Sequence, residues 1–174
     1  MKNIKIIILD SDGVLTDGKI IYSAERIETR HFHARDGLGI KLLQCSDIKI
    51  AVISGKKTRT LTRRCTELGI KNLYQNIKNK VATTEKLLNK LNLNFENVAY
   101  MGDDWNDYPV IQKVGFSGIP ADGAEEMKPN VDFVSDFAGG NGAVRQFIEH
   151  ILKEKGIYEE TLEALLHVIQ NSDN

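Results

Sequence analysis

The chain has 174 residues, 41% apolar and 27% charged, enough for one globular domain with its own core. A formal net charge of −1 leaves no bulk field for nucleic acid or an anionic membrane surface, so neither is an expected partner. No stretch approaches the roughly 20 apolar residues of a bilayer span, and the short N-terminal apolar run leads into acids rather than a small-residue cleavage site.

In chain order, IKIIIL (4–9) predicts a strand that runs straight into DSDGVLTDG. KIIYSAERIETRHFHA (19–34) alternates on both sides of a polar centre and predicts a β-hairpin. GLGIKLLQC (37–45) predicts a helix, and IKIAVIS (48–54) a strand ending at Ser54. In TRTLTRRCTEL (58–68), Leu61, Cys65 and Leu68 form one apolar helix face, and the basic GKKTRTLTRR (55–64) reads as its solvated side. VATTEKLLNKL (81–91) repeats that spacing; NVAYM (97–101), VGFSG (114–118) and VDFVS (131–135) predict strands, and NDYPVIQKV (106–114) a helix. Gly139, Gly140 and Gly142 precede another helix whose amides could bind an anion, although GGNG lacks the G-K-[ST] of a P-loop. GIYEETLEALLHVIQ (156–170) is amphipathic, with Leu162, Leu165, Leu166 and Ile169 apolar; it either covers the chain's own core or packs on a neighbour.

Strands alternating with helices, the strands nearly continuously apolar, predict an α/β fold: a Rossmann-like, three-layer arrangement with a mainly parallel sheet covered on both faces. Residues 1–155 are read as a single domain and 156–174 as a C-terminal helix and tail. Cys45 and Cys65 lack C-x-x-C spacing, so reduced thiols and a cytoplasmic setting are expected.

In an open parallel sheet the active crevice lies at the carboxyl ends of the strands. Asp10, Ser54 and Asp103 each follow a predicted strand, with Asp12, Asp104 and Asp107 close by in sequence. So many acids in one crevice need a cation, and carboxylate oxygens suit Mg²⁺. One carboxylate can then attack phosphorus, while a second, two residues on, serves as general acid and later as base. Ser54, the amides of the Ser11–Gly13 turn and Lys80 are the candidate phosphate donors. Arg35, Asp36 and Arg145 are candidate anion or substrate contacts. His31 and His33 share a hairpin face, but two ligands fall short of a zinc site.

D-x-D-G-V-L-T-D-G (10–18), S-G (54–55), Lys80 and G-D-D-x-x-D (102–107) resemble the four motifs of the haloacid dehalogenase superfamily of phosphatases. RDGLGIKLL (35–43), LYQNIKNK (73–80), NVAYMGDDWNDYPV (97–110) and AGGNGAVRQ (138–146) are similar to one family within it, the 3-deoxy-D-manno-octulosonate 8-phosphate (Kdo 8-phosphate) phosphatases. This resemblance implies that Asp10 is nucleophile and metal ligand. Asp12 is then the acid/base, with its carbonyl on Mg²⁺, and Asp103 the third ligand. Asp104 or Asp107 would orient metal waters or Lys80, while Ser54, Gly55 and Lys80 would bind phosphate. Arg35, Lys56 and Arg145 are the expected substrate contacts.

The resemblance also implies a hairpin flap in place of a large cap domain, closing a neighbour's site in a homotetramer, and a role in lipopolysaccharide assembly. Two positions depart from the family. Ser11 stands at a spacer that is often Val, and Lys56 stands where these enzymes usually carry Arg. A lysine grips a carboxylate as a point charge rather than a fork. Kdo 8-phosphate and a nine-carbon 2-keto-3-deoxy sugar acid 9-phosphate therefore both remain open as substrates. A phospho-acceptor signalling domain or a non-catalytic relative is the reading from a different class; the acid at Asp12 argues against the first.

Overall fold

A computed structural model describes residues 1, 3–24 and 28–171. The elements are β1 (Ile6–Leu9), β2 (Ile21–Tyr22), β3 (Glu28–Thr29), α1 (Ala34–Gln44), β4 (Lys49–Ile53), α2 (Arg59–Glu67), β5 (Asn72–Tyr74) and α3 (Lys80–Leu91). They continue with β6 (Val98–Met101), α4 (Tyr108–Ile111), β7 (Phe116–Ile119), β8 (Phe133–Val134), α5 (Ala143–Glu154) and α6 (Tyr158–Gln170). Six strands form one parallel sheet in the order β5-β4-β1-β6-β7-β8, and β2 pairs with β3 as a separate antiparallel hairpin.

The period-two alternation of strand side chains divides the core. Ile7, Leu9, Ile50, Val52, Ala99 and Met101 face one layer, with Ile40, Leu43, Leu61, Cys65, Phe147 and Ile151 from α1, α2 and α5. Ile6, Ile8, Ala51, Ile53, Val98 and Tyr100 face the other, with Leu87, Leu88, Val110 and Ile111 from α3 and α4. This is the predicted three-layer fold, and no large cap domain interrupts it among the described residues.

Local differences from the sequence reading have local causes. The edge strand β5 lies where the sequence carries no strand signal, because three residues, Asn-Leu-Tyr, make no apolar run. The helix expected over 106–114 contracts to four residues, with Pro109 in its first turn and Asp107 drawn into side-chain bonds. The hairpin forms, but with only two residues per strand, and residues 25–27 and 172–174 lie outside the described residues.

The amides at the start of α5 are not an open anion site: Asp36 of α1 accepts from Gly142 N at 3.1 Å and Arg145 N at 2.9 Å. An internal carboxylate thus satisfies the positive end of α5. The α6 helix lies on α1 and α5, with Thr161 and Leu165 buried and Ile157, Tyr158 and Leu162 against the same core. It therefore covers the chain's own core with Leu162 and Leu165, while Leu166 and Ile169, expected on that face, are exposed.

Candidate active site

The three central strands β4, β1 and β6 end side by side, which brings Ser54, Asp10 and Asp103 to one edge. They line a cavity of about 290 Å³ together with Asp12, Gly55, Lys56, Asp104 and Asn106. The turn after β1 wraps on itself, with the amides of Val14, Leu15 and Thr16 reaching the Ser11 carbonyl at 3.4, 2.9 and 3.1 Å. Gly13 sits there at φ +79°, and a Cβ on it would lie 2.0 Å from Asp103 Oδ2. Only glycine admits both that backbone and that approach.

Asp10, Asp103 and Asp107 each offer an oxygen within 4.8 Å of the others. Their partners differ. Asp107 is fully buried and saturated: Oδ1 accepts from Lys80 Nζ at 2.6 Å and from the Tyr100 hydroxyl, and Oδ2 accepts from Asp103 N at 3.1 Å. Asp10 has Lys80 Nζ at 3.0 Å from its Oδ2. Burial, reinforced by the neighbouring Asp107 and opposed by Lys80, pushes Asp10 up to about 7. Burial, with Asp10 and Asp107 adding to it, pushes Asp103 up to about 8. One lysine therefore does not neutralise three acids, and Asp10 and Asp103 give up their protons readily only when a further cation shares the cluster. An all-oxygen acidic set short of positive charge fits a hard divalent cation, which Asp10 and Asp103, the less saturated members, could hold.

Lys80 opens α3 and is 4% exposed. The Asn79 side chain caps that helix by accepting from Ala82 N at 2.9 Å, which anchors the turn carrying the ammonium. A cation at a helix N-terminus is unfavourable, and Asp10 and Asp107 offset it. Ser54 is buried beside them, its hydroxyl accepting from Lys56 N at 3.3 Å.

Of the remaining predicted residues, Asp104 lines the cavity and accepts from Trp105 N at 2.8 Å, leaving the hold on Lys80 to Asp107. Lys56 lines it too and reaches into the hairpin, to the Tyr22 hydroxyl at 3.0 Å and Glu28 at 3.4 Å. Arg35 and Arg145 do not line it. Arg35 is exposed at the start of α1, and the Arg145 guanidinium is paired with Glu149 one turn along α5. His31 bonds Asp17 at 3.2 Å and joins no metal-binding group among the described residues.

Two contributors were missed. Tyr100, buried on β6, donates to Asp107; a tyrosine inside an apolar strand is itself a signal that its hydroxyl has a partner. Arg30, just after β3, donates from Nη1 to Asp12 Oδ1 at 2.6 Å, a contact of 18 residues' separation with no local signature.

A model of the haloacid dehalogenase-like hydrolases matches residues 66–148. The 3-deoxy-D-manno-octulosonate 8-phosphate phosphatase KdsC of Escherichia coli K12 is 44% identical over 159 residues, covering 91% of this chain and 85% of the relative. The chain belongs to the haloacid dehalogenase-like hydrolases. With phosphatase relatives at this identity and coverage, it is a phosphatase. The Kdo 8-phosphate phosphatase of Moraxella catarrhalis, solved with magnesium, phosphate and Kdo, superposes with a TM-score of 0.90 at 36% identity, over 93% of each chain. The cobalt-bound phosphatase of Haemophilus influenzae gives 0.88 at 39%, over 95% of this chain and 98% of the other.

Proposed function

We propose that this phosphatase hydrolyses Kdo 8-phosphate to Kdo and phosphate through an aspartyl-phosphate on Asp10. The observation that carries the reading is one cavity holding Asp10, Asp12, Ser54 and Asp103, with Lys80 against Asp10. A carboxylate oxygen of Asp10 attacks phosphorus as the phosphorus–oxygen bond to the sugar breaks, and the proton on Asp12 passes to the departing oxygen. Asp12, now a carboxylate, takes a proton from water. The water oxygen attacks phosphorus, the bond to Asp10 breaks, and phosphate leaves with the Asp10 carboxylate restored.

The Ser54 hydroxyl, the Gly55 amide and the Lys80 ammonium meet the phosphoryl oxygens, and Asp107 with Tyr100 keeps Lys80 aimed. Magnesium, held by Asp10, Asp103 and the Asp12 carbonyl, would supply positive charge that offsets the repulsion between carboxylates and phosphate. The magnesium-bound Moraxella relative supports this assignment.

Lys56 favours a second reading, a nine-carbon keto-deoxy sugar acid 9-phosphate, because the Tyr22 hydroxyl and then Glu28 hold its charge in a single place where a guanidinium would fork. The hairpin carries exposed Ile20, Ile21 and Tyr22, which supports a flap docked on a neighbouring subunit of a homotetramer. The chemistry is assigned to residues 1–155, since no α6 residue lines the cavity. Free Cys45 and Cys65 fit a cytoplasmic setting.

The test is magnesium-dependent phosphate release from Kdo 8-phosphate, the nine-carbon acid 9-phosphate and simple sugar phosphates, with Asp10→Asn as control. Preference for Kdo 8-phosphate and an inert Asp10→Asn are expected. An active Asp10→Asn sinks the mechanism, and preference for the nine-carbon acid moves the substrate.

A further inference from the structure

We propose that Arg30, on the stem of the hairpin, is the positioning residue for the general acid/base Asp12, so that the hairpin sets the geometry of proton transfer in its own chain. The inference rests on the acid/base assignment of Asp12 made above. Arg30 follows β3 directly, and its side chain is only 2% exposed. Its Nη1 donates to Asp12 Oδ1 at 2.6 Å and its Nε to Glu28 Oε1 at 2.8 Å. Nη2 is buried without a hydrogen-bond partner among the described residues. Asp12 and Glu28 therefore carry the compensation of a buried charge, and a buried guanidinium holds such partners firmly.

Glu28 in turn meets Lys56, and Lys56 the Tyr22 hydroxyl on β2. Both hairpin strands are thus connected through side chains to the cavity, and the connection ends on the acid/base rather than on a phosphate donor. The contact occupies Oδ1 and leaves Oδ2 to deliver the proton. Asp12 would otherwise hang on a turn with a side chain about one-third exposed (34%), free to rotate away from the leaving oxygen.

In the step concerned, the phosphorus–oxygen bond to the leaving group breaks, its electron pair stays on that oxygen, and the Asp12 proton joins it. An alkoxide leaving group needs that proton; p-nitrophenolate does not. The experiment is therefore single-turnover release of the leaving group, enzyme in excess with magnesium, from a sugar phosphate and from p-nitrophenyl phosphate. It compares wild type, Arg30→Met, Arg30→Lys, Glu28→Gln, Asp12→Asn and Asp10→Asn.

Arg30→Met should slow the sugar phosphate by about 10- to 100-fold, a part of the roughly 100- to 10,000-fold that acid catalysis contributes. It should slow p-nitrophenyl phosphate far less, with the half-saturating substrate concentration little changed. Asp12→Asn should show the same pattern more strongly. Arg30→Lys should recover part of the loss on the sugar phosphate only. Glu28→Gln, which leaves Arg30 in place, should show a weaker version if Arg30→Met does not fold. Equal losses on both leaving groups, or no loss on either, overturn the role of Arg30. An Asp12→Asn variant without leaving-group dependence, or an active Asp10→Asn, instead overturns the assignment on which it rests.

Discussion

Gly13 shows how much of the site one missing methyl decides. Its positive φ turns the chain after Asp10 sharply enough for Asp103 to close over the backbone. Gly13→Ala sets a Cβ against the Asp103 carboxylate and strains the turn, so phosphate release should fall at least about 100-fold, the scale at which small misplacements tell. Circular dichroism should show a retained fold. A near-normal rate would mean that Asp103 can retreat without cost. Cys65 is the opposite case, a reactive group made inert. Burial pushes its thiol up to about 11, and α2 packs it into the core. Thiol labelling at pH 8 should therefore modify Cys45, which is partly exposed, and spare Cys65 until the protein is denatured. Fast native labelling of both thiols would show that the α2 layer opens readily.

Between elements, α1 and α5 are joined by a carboxylate rather than by apolar packing alone. A Cβ at Gly39 would lie 3.0 Å from Arg145 Cα, so the helices approach closely and Asp36 reaches the first turn of α5. Asp36→Ala strands two amide donors and should cost about 1–3 kcal/mol for each that water cannot reach, read as a lower denaturant midpoint. Burial, only partly offset by those amides, holds Asp36 above the ordinary carboxylate range. The contribution of Asp36 is thus fullest below its unfolded value and is lost as pH rises through its folded one. Asp36→Asn should remove that part of the pH dependence. A midpoint unchanged in Asp36→Ala would mean that the first turn of α5 finds its partners in solvent.

At the scale of the molecule, two acids beyond what Lys80 compensates, buried Asp10 and half-buried Asp103, make the folded state a better cation binder than the unfolded chain. Magnesium at 100 times its dissociation constant should add about 2.7 kcal/mol. For a domain of this size that raises the melting temperature by about 5–11 °C. Asp103→Asn should lose the shift, and a wild-type melt indifferent to magnesium would remove the metal from the cluster. The hairpin gives a second prediction at this scale. If its exposed Ile20, Ile21 and Tyr22 close a neighbour's cavity, dilution to monomers should abolish turnover; a fully active monomer would refute that arrangement.

The acids were readable from the chain alone because their chemistry is local. Asp10 and Asp12 follow an apolar run, Gly102, Asp103 and Asp107 follow another, and a parallel sheet puts the ends of such runs on one edge. The alternation of apolar and β-branched runs with helical spacing determined the layers for the same reason. What only the tertiary structure decided was pairing across long separations. Asp107 takes Lys80 and Tyr100, the amides of α5 go to Asp36 rather than to a ligand, and Arg145 turns to Glu149. Arg30 closes on Asp12 from the far side of a hairpin. Periodicity reports which face of an element is buried; it carries no record of which distant charge will be buried against it, and that choice belongs to the packed fold.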